Sequence, residues 1–212
     1  MNILAINTAF SESYVAINNG DIYVFKNMDS SLKQSENILG LIDTALKEAN
    51  IELKDIDAIS CVVGPGSFTG IRIGASLAKG FCSAYKSIKR IGVCSLDLIA
   101  FTYSRISKND FWVVLNALSG NLFVAKYTKD GQKIIEPKLL DQNGLDELSG
   151  TIVGIKEENL GLCGEYVTLS SEDLLKFSQK LADSNIYSSD FIPLYLRKSQ
   201  AEAEYDKKTK NS

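Results

Sequence analysis

The 212-residue chain contains no histidine, and this absence excludes several kinds of chemistry. Serine–histidine–aspartate and cysteine–histidine nucleophilic sites, histidine-ligated zinc and imidazole proton transfer all need the missing residue. What remains is carboxylate, lysine or tyrosine chemistry, phosphate handling by backbone amides, or no catalysis at all.

Other features are scarce as well. The four cysteines include no C-x-x-C pair, and apolar neighbours around most of them predict buried free thiols. A net charge of −3 gives no basic field that would make nucleic acid an obvious direct partner. No apolar run approaches the roughly 18–20 residues of a membrane-spanning helix, and no basic signal segment opens the chain. We therefore expect a cytoplasmic protein without a membrane partner.

The first hundred residues predict alternating strands and helices. Apolar runs from Ile3 to Ile6, Tyr14 to Ile17 and Ile22 to Phe25 are typical of strands. Asn19-Gly20 between the second and third runs predicts a hairpin with a type I′ turn. The later predicted elements are a helix from near Ser31 to about Asn50, a strand from Asp57 to Val63, a helix to about Tyr85, a strand from Ile91 to Cys94 and a helix from Leu96 to Phe101.

The second half of the chain repeats the pattern of its start. Val113 to Asn116 matches Leu4 to Asn7, and Phe123 to Ala125 matches Tyr14 to Ala16 at the same spacing. A chance match between two buried hairpins is one explanation, and an internal duplication is the other. Beyond the repeat, the further predicted elements are a strand from Lys133 to Leu139, a short helix near Leu145, a strand from Thr151 to Val153 and a helix from about Ser171 to Ala182.

Duplication predicts an α/β protein with two β-β-β-α-β-α lobes. We assign residues 1–103 to an N-terminal lobe and 104–200 to a degenerate C-terminal lobe. The tail 201–212 is charged and lacks apolar spacing, so we expect it to be disordered.

The glycine-rich segment 64–74, GPGSFTGIRIG, allows two interpretations. Its amides and the following helix N-terminus could hold a phosphate, although the Walker pattern and G-x-G-x-x-G are both absent. Alternatively, it is a tight strand-to-helix crossover in which Ser67 or Thr69 caps the helix and Gly70 and Gly74 permit close packing. The residues proposed for the phosphate loop are Gly64, Gly66, Ser67, Thr69 and Gly70.

The two long helices of the first lobe carry apolar faces that are wider than one sheet requires. The second of them is apolar around most of its circumference, with a narrow polar stripe that includes Arg72 and Lys79. Either the two helices pack only on each other and on the sheet, or they expose an apolar surface for a partner.

Asn7 and Asn116 occupy the ends of the two matching first strands, which face the cleft in a duplicated fold of this kind. A nucleotide-hydrolysing protein needs a carboxylate there, because Mg²⁺ prefers anionic oxygen ligands and an attacking water needs a base. Two amides at equivalent positions indicate a cleft without catalysis.

Segment 64–74 resembles the TsaB family of tRNA threonylcarbamoyladenosine biosynthesis proteins, which is also described as glycoprotease-like. Further similar stretches cover essentially the whole chain: Ile3 to Thr8, Gln34 to Glu36, Ile91 to Ser95, and the C-terminal P-x-Y-L-R pattern of Pro193 to Arg197. The resemblance implies the two-lobed actin-like ATPase fold, which is also called ribonuclease H-like.

By resemblance, the chain is a non-catalytic subunit that binds and activates its paralogue TsaD, which transfers threonylcarbamoyl to tRNA adenosine. The ATPase TsaE joins the assembly, tRNA is contacted only through the complex, and a homodimer forms when the subunit is alone. The family pattern implies no metal and no cofactor, and leaves open ATP or ADP at the complex interface. It also implies a four-helix interface, for which we assign Ile38, Leu41, Ile42, Ala45, Ile71, Gly74, Ala75, Ala78 and Cys82.

The chain departs from the family pattern at both cleft positions. The usual first-strand aspartate is Asn7, and the usual D-A-R-x-x-E of the second lobe is replaced over residues 116–121. The H-x-x-x-H metal motif of TsaD cannot exist without histidine. These departures argue against a transferase or a peptidase. The alternative function is an ATPase or small-molecule kinase of the same fold that uses the loop 64–74.

Overall fold

The computed structural model describes residues 1–28, 33–117, 120–141, 144–145, 148–156 and 164–196. Two five-stranded mixed sheets, four α-helices and one short 3₁₀ helix make up the regular structure of these residues. The tail 201–212, for which we expect disorder, lies outside this range, as do Ser31, Cys163 and Arg197. None of the helices in the described part of the chain is long and apolar enough to cross a membrane.

The first sheet has the strand order β3-β2-β1-β4-β5. Its strands β1 and β2 are buried along their whole length, as their continuous apolar runs predict. The three N-terminal strands form an antiparallel meander, and β4 and β5 add in parallel. The strands are β1 Ile3–Asn7, β2 Tyr14–Asn18, β3 Tyr23–Asn27, β4 Ala58–Gly64 and β5 Lys89–Cys94.

The second sheet repeats this topology, with the strand order β10-β9-β6-β7-β8. Here too an antiparallel meander of three strands is followed by two strands that add in parallel. The shared topology confirms the internal duplication. The sequence does not signal β10, which is three residues long. The strands are β6 Phe111–Asn116, β7 Asn121–Tyr127, β8 Lys133–Asp141, β9 Thr151–Ile155 and β10 Glu165–Val167.

The helices divide the molecule into layers. The helices α1 Gln34–Glu48 and α2 Phe68–Ala84 cover one face of the first sheet. The helices α3 Ser95–Tyr103 and α4 Ser171–Asp183 lie between the two sheets and share one apolar cluster with both. Side chains alternate along a strand, so Leu4 and Ile6 pack toward α1 and α2 while Ile3 and Ala5 pack toward the middle layer.

The division of the chain at residues 103 and 104 stays a prediction, although the two sheets do lie on either side of it. The C-terminal elements cross back over this boundary. Helix α4 contacts the first sheet, where the Ser178 hydroxyl donates a 2.6 Å hydrogen bond to the Ser60 hydroxyl. Segment 185–196, which we call the C-terminal strap, also lies against the first lobe.

Two local predictions need correction. The hairpin between β2 and β3 is present, but its turn is not type I′, because only Gly20 of the two central residues, Gly20 and Asp21, has a positive φ. Helix α1 begins at Gln34, after an N-cap at Lys33 that makes no side-chain capping bond. The predicted start near Ser31 lies outside the described residues. A short helix near Leu145 falls in a stretch that is described only in part.

Candidate functional site

The glycine-rich segment forms a tight crossover from β4 into α2. Gly64 ends the strand with a φ of +107°, and the Ser67 hydroxyl caps α2 by accepting a 3.2 Å bond from the Gly70 amide. The Thr8 hydroxyl donates to the Gly70 carbonyl at 2.6 Å, and a Cβ on Gly70 would overlap the Thr8 carbonyl oxygen. A Cβ on Gly74 would lie 2.5 Å from the Thr8 hydroxyl. These contacts confirm the structural interpretation, in which glycines let α2 pack directly on the end of β1.

The amides of Ser67 and Gly70 in this segment bond within the chain. The Ser67 amide donates to the Ala9 carbonyl at 2.9 Å, and the Gly70 amide donates to the Ser67 hydroxyl that caps α2. A Cβ on Gly66 would lie 2.6 Å from the same Ala9 oxygen, so glycine is needed there without any ligand. Thr69 is exposed at the first turn of α2. Phosphate binding by this segment stays a prediction.

Asn7 has a structural role at the end of β1. Its side chain is fully buried, with Nδ2 donating to the Glu12 carbonyl at 2.7 Å and Oδ1 accepting from the Ala9 amide at 3.1 Å. These two bonds close the loop between β1 and β2 and use both the donor and the acceptor of the amide. Asn116 ends β6 at the equivalent position of the second sheet and is half-buried.

We expect Asn7→Asp to destabilise the fold at pH 7 by about 2–3 kcal/mol. The carboxylate can accept from the Ala9 amide, but it places a second buried oxygen against the Glu12 carbonyl. Burial favours the protonated side chain of the variant, which can donate, so the deficit relative to the native chain should shrink as the pH falls. Urea unfolding at pH 7 and at pH 4 measures this. An equal loss of stability at both pH values would contradict the role given to the Asn7 Nδ2 group as a hydrogen-bond donor.

The described residues offer no metal site and no reactive thiol. They contain no group of three or more histidine, cysteine, aspartate or glutamate side chains placed to hold a metal ion. Cys61, Cys82 and Cys94 are free, as predicted. Burial raises the pKa of the Cys61 thiol to about 12 and that of Cys94 to about 12, so both are protonated at neutral pH.

The native chain should resist thiol alkylation at these positions. At pH 8, a pKa of about 12 leaves about one thiolate in ten thousand, and burial also blocks the reagent at Cys61. We expect iodoacetamide to modify Cys61 and Cys94 at least 100-fold more slowly in the native chain than in 8 M urea, as measured by peptide mass spectrometry. Equal rates would contradict the burial of these thiols.

The residues assigned to a partner interface do lie on α1 and α2, but most of them face inward. Their side chains pack between the helices and the first sheet, so they cannot contact another molecule in this arrangement. Helical periodicity located the side of each helix that faces its own sheet. The buried residues are Ile38, Ile42, Ala45, Ile71, Gly74, Ala75, Ala78 and Cys82, while Leu41 is half-buried. This choice of residues is corrected, and the helix pair as an interface stays a prediction.

Other apolar side chains of the same helices reach the surface. Leu39 is the most open of them, with 53% of its surface exposed. The half-buried residues that accompany it are Leu46, Ile73, Leu77 and Phe81. We call these five residues the helix-pair face.

An open groove of about 410 Å³ runs beside the helix-pair face. The apolar residues that line the groove are Leu39 and Leu46 of α1, Phe81 of α2, and Ile51 and Leu53 of the segment that follows α1. The groove follows from the chain turning sharply after α1 into a short 3₁₀ helix, Leu53–Asp55. An apolar surface with such a groove is typical of a protein-binding site.

The C-terminal strap is a feature that the sequence patterns do not predict. The Ser188 amide donates to the Arg90 carbonyl at 2.7 Å, and the Leu194 amide donates to the Val63 carbonyl at 2.8 Å. Phe191 is fully buried in the apolar cluster beneath α1 and α2. The segment carries no helical or strand periodicity, so the family-like P-x-Y-L-R pattern was its one sequence signal.

Polar and aromatic contacts tie the strap to the outer side of α2. The Lys79 ammonium lies 2.8 Å from the Asp190 carboxylate and lowers the pKa of that carboxyl group. The Tyr195 ring stacks on Phe68 at 4.8 Å, and the Arg72 Nε donates to the Tyr195 hydroxyl at 2.9 Å. The strap thus occupies part of the polar stripe of α2, while the helix-pair face lies elsewhere on that helix.

Comparison with known proteins identifies similar sequences along the chain. A family model described as TsaD, tRNA N6-adenosine threonylcarbamoyltransferase, matches residues 29–149. The tRNA threonylcarbamoyladenosine biosynthesis protein TsaB of Escherichia coli K12 is 29% identical, over 95% of this chain and 96% of that protein. An uncharacterised protein of Mycobacterium bovis is 30% identical, over 74% of this chain and 72% of its own length.

Solved structures show the same fold. The protein YeaZ from Pseudomonas aeruginosa superimposes with a TM-score of 0.74 at 19% identity, covering 92% of this chain and 99% of that one. A second Pseudomonas aeruginosa structure, described as similar to peptidase YeaZ, gives a TM-score of 0.76 at the same identity and coverage. Together with the duplicated sheets, this confirms the predicted two-lobed α/β fold. Its assignment to the actin-like class stays a prediction.

Proposed function

We propose that this chain, which belongs to the TsaD family of tRNA N6-adenosine threonylcarbamoyltransferases as one of its TsaB members, acts in tRNA threonylcarbamoyladenosine biosynthesis as a non-catalytic subunit. It binds a TsaD subunit and activates it. The observation that carries the proposal is the helix-pair face, an apolar surface on α1 and α2.

A TsaD subunit suits this surface because of its relationship to the chain. The matched region of the family model, residues 29–149, contains both α1 and α2, so a TsaD subunit has a corresponding helix pair. The helix pair of this chain and the corresponding helix pair of TsaD can pack against each other about a pseudo-twofold axis. The groove beside Leu39 and Phe81 then receives an apolar side chain of the partner.

The proposal gives this chain no catalytic step. Asn7 uses its amide to close its own loop, and the glycines of segment 64–74 are occupied by packing contacts. The transfer of threonylcarbamoyl to tRNA is left to the partner, and the chain itself needs no cofactor. ATP or ADP at the interface of the two subunits stays a prediction.

The remaining partners follow from the same proposal. TsaE joins the assembly formed with TsaD, and tRNA is contacted through the complex in the cytoplasm. In the absence of TsaD, a second copy of this chain occupies the helix-pair face, because the apolar surface is still exposed to water.

A transferase assay tests the proposal. Purified TsaD from the same organism is supplied with tRNA, the threonylcarbamoyl adenylate and TsaE, and modified adenosine is measured with and without this chain. We expect product formation to rise at least tenfold when the native chain is added. Leu39→Glu should fail to give this rise, whereas Ile134→Glu, at a similarly exposed apolar position on β8, should preserve it. No rise with the native chain would contradict the proposal.

A further inference from the structure

Three of the four sheet edges in the described structure are protected against pairing with another strand. The outer edge of β5 is covered by the strap, where the Gly92 amide donates to the Ser188 hydroxyl at 2.9 Å. The edge strand β8 contains Pro137, which has no amide to donate, and β10 is three residues long. The fourth edge, β3, has five residues and no proline.

The hydrogen-bonding pattern of the hairpin shows which groups of β3 face outward. The Asn19 amide donates to the Ile22 carbonyl at 3.2 Å, and the Met28 amide donates to the Ser13 carbonyl at 2.8 Å. Bonded and non-bonded pairs alternate along an antiparallel ladder, so Val24 and Lys26 are bonded to β2. The amides and carbonyls of Tyr23, Phe25 and Asn27 therefore point to the free edge. The backbone amides and carbonyls of Tyr23 and Phe25 form no backbone hydrogen bond with the rest of the described chain.

The side chains along this edge are unusual for an exposed strand. Tyr23 is 59% exposed and Phe25 is 41% exposed, and both lie on the face of the sheet opposite α1. On the other face, Val24 is buried and the Lys26 ammonium forms a 2.6 Å ion pair with Glu48. The lysine that would discourage pairing is thus held away from the aromatic face.

We propose that β3 is a second interaction surface, at which two copies of this chain pair edge to edge in an antiparallel register centred on Phe25. In this register each Phe25 lies opposite the other, and each Tyr23 lies opposite Asn27 of the second copy. The outward amides and carbonyls of these residues then form a ladder, and the two sheets become continuous.

A second copy fits this edge because the strand is complementary to itself. Lys26 lies opposite Val24 of the second copy, so no like charges face each other across the seam. The two aromatic faces lie on the same side and extend each other. This twofold contact is separate from the helix-pair face, so the inference does not depend on the proposed function.

Disulfide trapping tests the register. In Phe25→Cys, the two introduced thiols lie across the twofold axis with Cα atoms about 5.5 Å apart, which a disulfide can span. We expect the full-length variant to form disulfide-linked dimers under mild oxidation at least ten times faster than Ile134→Cys, the matched exposed position on β8. The other free cysteines of the described chain are the same in both variants. Equal rates would overturn the proposal.

Sedimentation of Phe25→Pro provides the second test, in a Leu39→Glu background that suppresses association through the helix-pair face. Proline at this position removes an outward amide without removing a bond to β2, so the hairpin is preserved. We expect Leu39→Glu alone to dimerise at high concentration and the double variant to dimerise at least tenfold more weakly. A Leu39→Glu variant that is monomeric at 200 μM, or equal association of the two proteins, would overturn the proposal.

Discussion

Gly70→Ala is expected to remove most of the folding stability of this protein. The added Cβ would overlap the Thr8 carbonyl oxygen, which is backbone at the end of the buried strand β1 and cannot move aside. The Thr8 hydroxyl also bonds the Gly70 carbonyl at 2.6 Å, so α2 cannot shift outward without breaking that bond. We expect a loss of about 4 kcal/mol or more, a large part of the stability of a typical domain.

Urea unfolding followed by circular dichroism measures this loss, and the same helix provides the control. Gly80 also lies in α2, but a Cβ there meets nothing within 4 Å. Because alanine is the better helix former, Gly80→Ala should raise the free energy of unfolding by about 0.5–1 kcal/mol. Similar stabilities for the two variants would contradict the direct packing of α2 on β1.

Leu39→Glu is expected to weaken binding to TsaD by at least 100-fold. The side chain is 53% exposed in the free chain, so the charge is solvated there and the monomer keeps its stability. In the complex the same carboxylate would be buried against an apolar partner without a matching charge, which is costly. Surface plasmon resonance with immobilised TsaD measures the change in the dissociation constant.

Two comparisons make this result interpretable. Ile134→Glu introduces the same charge at a similarly exposed apolar position on β8 and should bind like the native chain. Ala78→Glu is unsuitable, because Ala78 lies on the buried side of α2 against the first sheet, and a charge there would disrupt the packing of the helix. Equal binding by Leu39→Glu and the native chain would place the interface elsewhere.

The strands of both sheets other than β10 were predictable because their apolar runs are long and end at turn residues. The repeat of Leu4 to Asn7 in Val113 to Asn116 located the equivalent strands β1 and β6, and the identical sheet topology confirmed it. The tight crossover at segment 64–74 was one of two interpretations, since glycine spacing alone does not show which group approaches the backbone. The contacts with Thr8 and Ala9 come from residues more than fifty positions away.

The candidate interface could be predicted only as far as the helices that form it. An apolar helix in an α/β protein has one face on its sheet, and periodicity does not separate that face from a partner-binding face. Ile38 and Leu39 are adjacent in sequence, yet one is buried and the other is half-exposed. The strap and the free edge of β3 could not be predicted from the sequence, because both depend on long-range pairing.

The most direct measurement is a calorimetric titration of TsaD from the same organism with the native chain. Burial of the helix-pair face predicts one-to-one binding with a dissociation constant in the micromolar range or tighter and a negative heat-capacity change between 15 and 35 °C. No binding at 50 μM of each protein would contradict the central claim that this chain is a TsaD-binding subunit.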